Sequence, residues 1–303
     1  MTNCRSSSYG AVRSFGFPRS DPNAHLTLAE RIQRCSSWQE LIALFYPGER
    51  WSLDFRVLAG SSDIYGDPVL ARLYDALHEE ERAAYLMTIV AELRDLVLNI
   101  PVGTTIVEAG CGPGRLLLGL AEDERIATRG YRFLGYDPSP EMIAIANEHG
   151  ASSPEHSSVA FEVGTSSDPH IQGAIGNASL LISRNILSWV DDPGKECTLW
   201  AHTLPRGARI YIRDLRRDIP FGQFKRRLLE CLTFKVRDVC LAFPPYCMLN
   251  AYLRALTPLE LRATLENARF EVEQREIQRG VLGDCGHPEL AEMLFIGTVT
   301  GSR

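Results

Sequence analysis

The sequence lacks any run of ~20 consecutive apolar residues, the length a membrane-spanning helix requires. Its longest apolar stretches are short, as at Leu116 to Ala121. It also lacks C-x-x-C spacing: the eight cysteines stand at 4, 35, 111, 197, 231, 240, 247 and 285, which removes the signature of zinc ribbons and of thioredoxin-type redox motifs. No basic, apolar, small-residue leader opens the chain. An excess of positive charge is missing too: the net charge is −6 and the pI about 5.7, so no general basic face for nucleic acid is expected. These absences predict a cytoplasmic protein with reduced thiols, no membrane or nucleic-acid partner, and no bound metal. Arg5, Arg13 and Arg19 occur without an acid in residues 1–20, and the Ser-rich segment 1–24 reads as a flexible tail.

With 303 residues, 45% hydrophobic and 23% charged, the chain can bury a sizeable core as one large domain or two small ones. Residues 25–100 read as a helical cap: Val69, Leu70, Leu73, Tyr74 and Leu77 recur at helical spacing, as do Leu86, Ile89, Val90, Leu93, Leu96 and Val97. Asp67 before Pro68 is a candidate N-cap. The period changes at residue 104. Strands are predicted over 104–109, 131–136, 158–163, 178–183 and 207–213, with helices starting at Leu116 and spanning 138–149 and 192–203. Strands alternating with helices predict a parallel sheet. Residues 215–256, rich in Arg, Phe and Cys, read as a partly helical insertion. A helix over 257–268 opens with a capping-box spacing, Thr257 and Glu260, and strands over 270–277 and 293–299 follow.

The segment Ile106-Val107-Glu108-Ala109-Gly110-Cys111-Gly112-Pro113-Gly114-Arg115 ends a strand at an acid, turns through glycines and opens a helix. Glycines admit a ligand that a Cβ would block, and the helix start offers free N–H groups. A dinucleotide site would want G-x-G-x-x-G; here Arg115 stands at the place of its third glycine, and Glu108 is poorly suited to a pyrophosphate but suits a cationic ligand.

On these residues the chain resembles the class I S-adenosylmethionine-dependent methyltransferases. The E-x-G-x-G-x-G turn is similar to their first motif. Asp137, at the end of strand two, is similar to their ribose-binding acid, and Arg184-Asn185-Ile186-Leu187-Ser188-Trp189-Val190-Asp191-Asp192-Pro193 to their segment after strand four. Thr257-Pro258-Leu259-Glu260-Leu261 and Phe270 match their last helix and sixth strand. The resemblance implies an α/β, Rossmann-like seven-stranded sheet over 101–303, with the helical cap at 25–100 and the substrate lid at 215–256 inserted after strand five. It implies S-adenosylmethionine as cofactor, held by Glu108, Gly110, Cys111, Gly112, Gly114, Asp137, Pro138, Arg184 and Asn185. The family's acid after strand three is absent, so Thr165, Ser166 or Asp168 is left to contact the adenine.

Tyr65, Tyr74, Trp189 and Arg213 are the candidate substrate contacts, although Tyr74 also fits a core stripe and the arginines of 213–237 also fit a solvated face. His287 and Asp214 are the candidate catalytic bases; Asp214 could equally pair with Arg216 or Arg217. Cys111 reads as a small filler rather than a nucleophile. Asp191 and Asp192 resemble a metal pair, but helix capping before Pro193 fits them better. The expected reaction is methyl transfer to an oxygen or nitrogen of a small molecule, in specialised metabolism. The alternatives are a peptide or protein methyltransferase, or a cofactor-binding protein without transfer activity.

Overall fold

The strands whose residues are apolar on both faces make the middle of one sheet. Val107 and Ile106, Leu180, Leu181 and Ile182, and Ile210 and Ile212 are all fully buried, as parallel strands covered on both sides must be. The computed structural model describes residues 26–45, 66, 68, 71–72, 74–76, 83–152, 154–233, 249, 251–275 and 292–300. Tyr65, His287, the proposed tail 1–24 and the cap residue Asp67 lie outside them.

The strands are β1 (Thr105–Ala109), β2 (Arg132–Asp137), β3 (Val159–Val163), β4 (Ala178–Arg184), β5 (Arg209–Leu215), β6 (Phe270–Arg275) and β7 (Glu292–Val299). They form a seven-stranded sheet in the order β3-β2-β1-β4-β5-β7-β6. β1 to β5 pair in parallel, and β7 runs antiparallel between β5 and β6. The strand order reverses between β1 and β4, and in open α/β sheets ligands bind at the carboxyl ends of the strands at such a reversal.

The α-helices named with them are α1 (Leu28–Arg34), α2 (Trp38–Phe45), α3 (Ala83–Leu98), α4 (Arg115–Glu122), α5 (Glu124–Ala127), α6 (Pro140–Gly150), α7 (Pro169–Ile175), α8 (Pro193–Thr203), α9 (Phe221–Thr233) and α10 (Pro258–Asn267), with a 3-10 turn at Pro154–Ser158. One sheet face packs on α3 and α4, through Ile89, Val90, Leu93 and Leu117; the other packs on α8 and α10, through Trp200, Leu261 and Leu265. Thr257 and Glu260 form the expected capping box on α10.

Three boundaries differ from the sequence reading. α3, grouped there with the cap, belongs to the sheet's own core, because its apolar stripe faces β1 and β4 rather than a separate body. The helix after β2 begins at Pro140, capped by the Ser139 hydroxyl, which accepts the Met142 N–H at 3.1 Å; Asp137 is therefore left free of capping duty. α7 was not foreseen, since its seven residues include a proline and a glycine and bury only Ile171 and Ile175.

α1 and α2 do not stand apart from the insertion. Ile32, Leu41, Ile42 and Phe45 form one apolar body with Phe224, Leu228, Leu249, Tyr252 and Leu253. Phe224 lies 4.9 Å from the Trp38 ring and 4.4 Å from Tyr252, centroid to centroid. Lys225 donates to the carbonyls of Gln33 and Cys35, at 3.2 and 2.9 Å, and so satisfies the end of α1. The insertion leaves the sheet at the carboxyl end of β5 and is pinched shut where Arg216 bridges Leu256 and the Arg217 N–H donates to the Leu256 carbonyl at 3.1 Å.

Candidate active site

β1 delivers Glu108 and then the glycine turn to the reversal point. Gly110, Gly112 and Gly114 all have positive φ, at +60°, +51° and +74°, which L side chains adopt only at a cost. At Gly110 a Cβ would come within 2.0 Å of the Ile186 Cδ1; at Gly114 it would come within 2.4 Å of Phe161. At Gly112 it would meet nothing within 4 Å. Gly110 and Gly114 are thus required by packing, whereas Gly112 leaves a space a side chain would fill. Cys111 turns into the core: it is buried, lies against Gly135, and its thiol is pushed well above the ordinary range by burial first and by Glu108 and Asp137 next. Its part in the turn is through the backbone, with its N–H donating to the Tyr136 carbonyl at 3.0 Å.

Asp137, half-buried at the end of β2, braces the turn from the side. Its Oδ2 accepts the Gly112 N–H at 3.0 Å and its Oδ1 the Ser139 N–H at 2.9 Å. Both carboxylate oxygens thus accept from backbone N–H groups, which orient the group. Pro138 beside it is exposed.

At the ends of β1 and β4, Glu108 Oε2, Arg184 Nε and Asn185 Oδ1 are buried polar atoms with no hydrogen-bond partner among the described residues, as is the Ser183 Oγ beside them. Burial pushes the Glu108 carboxyl up to about 8, Asp137 adds to the rise, and Arg184 opposes it. Burial would lower the Arg184 guanidinium, but Tyr74, Glu108, Tyr85 and Glu292 around it raise it above its ordinary value. Asn185 holds a left-handed φ of 56° while its N–H donates to the Arg213 carbonyl at 2.9 Å. Unsatisfied buried polar groups are uncommon and call for a partner. An acid and an amide oxygen can accept from an ammonium, and a guanidinium can donate to a carboxylate. The trio therefore fits a zwitterionic amino-acid group, and the space over Gly112 with Asp137 beside it fits the attached nucleoside.

Tyr74 comes to this site from the cap. Around it, Ala71 packs on Met142 and Ile145 of α6. Buried Asp75 accepts from the Arg115 Nε at 2.8 Å and faces the His149 Nε2 at 3.0 Å. Arg115 opens the helix after the glycine turn, so this contact ties the cap to the floor of the site. The sequence offered no sign of it: the partners are remote in the chain, and Arg115 stood out only for not being glycine.

Other expected site residues are placed differently. The Ser166 hydroxyl is buried among Tyr136 (2.6 Å), the donating Nε1 of Trp200 (2.8 Å) and Glu196, so it is spent on the core. Thr165 is exposed, and both its N–H and its hydroxyl donate to Asp168, at 2.6 and 3.0 Å. Arg213 is not available to a substrate carboxylate. It is 1% exposed, donates to Glu292 at 2.6 Å and to Glu92 at 2.9 Å, and stacks 5.1 Å from the Tyr85 ring centroid. The Tyr85 hydroxyl donates to the same Glu292, at 2.5 and 2.6 Å from its two oxygens.

Asp214 is likewise buried, and its carboxylate accepts the N–H groups of Leu187 and Leu215, both at 2.8 Å. Burial pushes it up to about 7 against those backbone donors. It pairs with neither Arg216 nor Arg217, which bind Asp218 and Glu260 at 2.6 and 2.7 Å. Its position makes it a support for the loop after β4 rather than a base in contact with an acceptor. Asp192 caps α8, accepting the Lys195 N–H at 3.0 Å. Trp189 is half-buried in the same loop.

The methyltransferase-domain family matches residues 78–275, about two thirds of the chain. The chain belongs to the class I S-adenosylmethionine-dependent methyltransferases. Among solved structures, the plantazolicin methyltransferase BpumL in complex with SAH (S-adenosylhomocysteine) is 16% identical, with a TM-score of 0.56 over 82% of this chain and 96% of that one. Its counterpart BamL, solved with a triazolic desmethylPZN analog and SAH, is 14% identical, with a TM-score of 0.55 over 82% and 97%. The CurJ carbon methyltransferase is 12% identical, with a TM-score of 0.54 over 78% and 59%. No curated protein matches the sequence. At these identities the likeness speaks for the fold, and the methyltransferase's specificity rests on its own residues.

Proposed function

We propose that this methyltransferase transfers its methyl group to an oxygen or nitrogen of a small molecule, in specialised metabolism. The observation that carries this reading is the apolar body formed by α1, α2, α9, Leu249, Tyr252 and Leu253, whose chain returns to the carboxyl end of β5 at Leu256 and touches the loop after β4 through Arg254. A lid of that kind suits a compact acceptor better than an extended chain. Among the similar folds one is solved with a triazolic desmethylPZN analog and another is a carbon methyltransferase, so the acceptor is argued from this chain's own residues.

When bound, S-adenosylmethionine supplies an electrophilic methyl group. Asp137 would accept from the ribose hydroxyls, while Glu108, Asn185 and Arg184 would hold the amino-acid end. The protein's contribution is then chiefly placement, which can supply ~7–11 kcal/mol when an acceptor is held in line. Any base must stand at the carboxyl edge. His287 remains the proposed candidate: β6 ends and β7 begins at that edge, with Arg275 opposite Leu294 and Glu292 opposite Leu215, so the connection carrying His287 starts and ends there.

The reading is tested by incubating the full chain with S-adenosylmethionine and panels of hydroxylated compounds, amines and peptides, and recording a 14 Da gain by mass spectrometry, the mass of CH₂. Methylation of small hydroxyl or amine compounds is expected. Methylation confined to peptides or proteins would replace the small-molecule reading, and cofactor binding without transfer to any acceptor would favour the non-transferring alternative.

A further inference from the structure

Arg254 is the last long side chain before the insertion rejoins the sheet at Leu256, and it is 2% exposed. A buried guanidinium normally faces carboxylates. This one donates mainly to main-chain carbonyls of the loop after β4: Nε to Ser188 O at 2.8 Å, and one terminal nitrogen to Val190 O at 3.1 Å and Trp189 O at 3.4 Å. Its nearest acid, Asp191, is 3.5 Å away with a largely exposed side chain. The residue just before that grip is held by Asp214 through the Leu187 N–H. Around these contacts the loop turns on itself, the Trp189 and Val190 N–H groups donating to Ile186 O at 2.8 and 3.2 Å. Of its first residues, Asn185 belongs to the amino-acid trio and Ile186 covers Gly110.

We propose that Arg254 is a positioning residue for methyl transfer: rooted in the lid, it sets the acceptor-side half of the loop after β4, including Trp189, while Asp214 sets the cofactor-side half. The inference rests on the reading of this site as the place of methyl transfer. The chemistry is specific to a guanidinium, whose planar fork donates in several directions at once; a lysine ammonium in the same place reaches fewer of these carbonyls. It also ties the end of the insertion, at Arg254, directly to the loop that carries Trp189.

The test uses the full chain carrying 5-fluorotryptophan, with the Trp189 resonance assigned by Trp189→Phe, and compares wild type with Arg254→Met and Arg254→Lys. Amide exchange reports local opening residue by residue. In Arg254→Met, exchange over 187–191 is expected to accelerate about 10-fold or more, and the Trp189 fluorine line to shift or broaden. S-adenosylhomocysteine affinity, by calorimetry, should change less than about threefold, because the trio sits at the ends of β1 and β4, with the Asn185 N–H on the Arg213 carbonyl rather than on Arg254. Arg254→Lys should recover part of the exchange protection. Unchanged exchange and an unchanged Trp189 line in a folded Arg254→Met protein would overturn the proposal, as would acceleration spread evenly over the sheet. If the Met variant does not fold, the Lys variant decides by the same two readouts. A wild-type protein that fails to bind S-adenosylhomocysteine would refute the site itself, a result distinct from either.

Discussion

Glu108 of β1 and Arg184 of β4 project from the same face of neighbouring strands, Glu108 standing opposite Ile182, and each keeps a buried polar atom without a hydrogen-bond partner among the described residues. The two charges oppose one another's neutralisation, yet burial still holds the acid at about 8. This is costly in the free protein and is relieved by a ligand that brings a cation to one and an anion to the other. Between the ordinary carboxylate range and about pH 8 the folded protein binds more protons at Glu108 than the unfolded chain does. Stability contributed here is therefore lost as pH rises through that window. Glu108→Gln should stabilise the ligand-free protein at pH 8 by on the order of 2 kcal/mol and show little gain at pH 4, while weakening the cofactor. Thermal unfolding at the two pH values measures this; equal midpoints for both proteins at pH 8 would contradict it.

The same acid predicts proton release. At pH 6.5 Glu108 is largely protonated in the free protein, and an ammonium placed against it favours ionisation. Titration with S-adenosylhomocysteine in buffers of different ionisation heat should show release of about one proton at pH 6.5, fading above pH 9. Proton uptake, or release that persists in Glu108→Gln, would remove Glu108 from this role.

Gly110 and Ile186 meet at the turn. Gly110→Ala adds a Cβ where Ile186 already lies, 2.0 Å from its Cδ1, at a φ of +60°, and should cost about 3 kcal/mol or more from overpacking and backbone strain together. Shortening the neighbour in Gly110→Ala/Ile186→Ala should return part of the loss and leave the ~1 kcal/mol strain of the left-handed alanine. Denaturant unfolding of the two variants checks this; a double variant no more stable than the single one would mean that the clash is not the cause.

Asp75 joins the cap to Arg115 and His149. Asp75→Asn keeps the shape and removes the charge, leaving the partly buried Arg115 guanidinium without its carboxylate. A loss of about 2 kcal/mol is expected, with S-adenosylhomocysteine leaving faster because the cap's tie to the turn is weakened. Stopped-flow release measures it, and an unchanged rate would show that the cap does not govern exchange.

Much of this was legible in the sequence because it is local. The glycine turn, its preceding acid, Asp137 and the capping box of Thr257 and Glu260 are set by neighbours a few residues apart, and the β-branched runs named five strands within about two residues of their ends. What was not legible depends on contacts between remote segments. Arg213 reads as a free cation until Glu92 and Glu292 close on it. Asp214 reads as a base until the Leu187 N–H is found on it. Ser166 reads as an adenine contact until Trp200 and Glu196 claim its hydroxyl. Nothing in the sequence near Arg254 announces that it grips the loop after β4, since its acceptors are carbonyls that any residue carries.

Asp137 carries a further expectation. Asp137→Ala should weaken S-adenosylhomocysteine by roughly 1–3 kcal/mol, and part of that loss reflects a looser turn, because the Gly112 N–H loses its acceptor as well. Asp137→Asn, which retains one acceptor oxygen, should lose less. Equal affinities in all three proteins would place the ribose elsewhere.

The most direct test of the site is calorimetric titration of the wild-type chain and of Gly112→Val with S-adenosylhomocysteine and with NAD. The wild type should bind one S-adenosylhomocysteine and ignore NAD, while Gly112→Val, whose side chain fills the space above the turn, should bind neither. Binding of NAD in preference to S-adenosylhomocysteine, or undiminished S-adenosylhomocysteine affinity in a folded Gly112→Val protein, would contradict the placement of the cofactor on the Gly110–Gly114 turn.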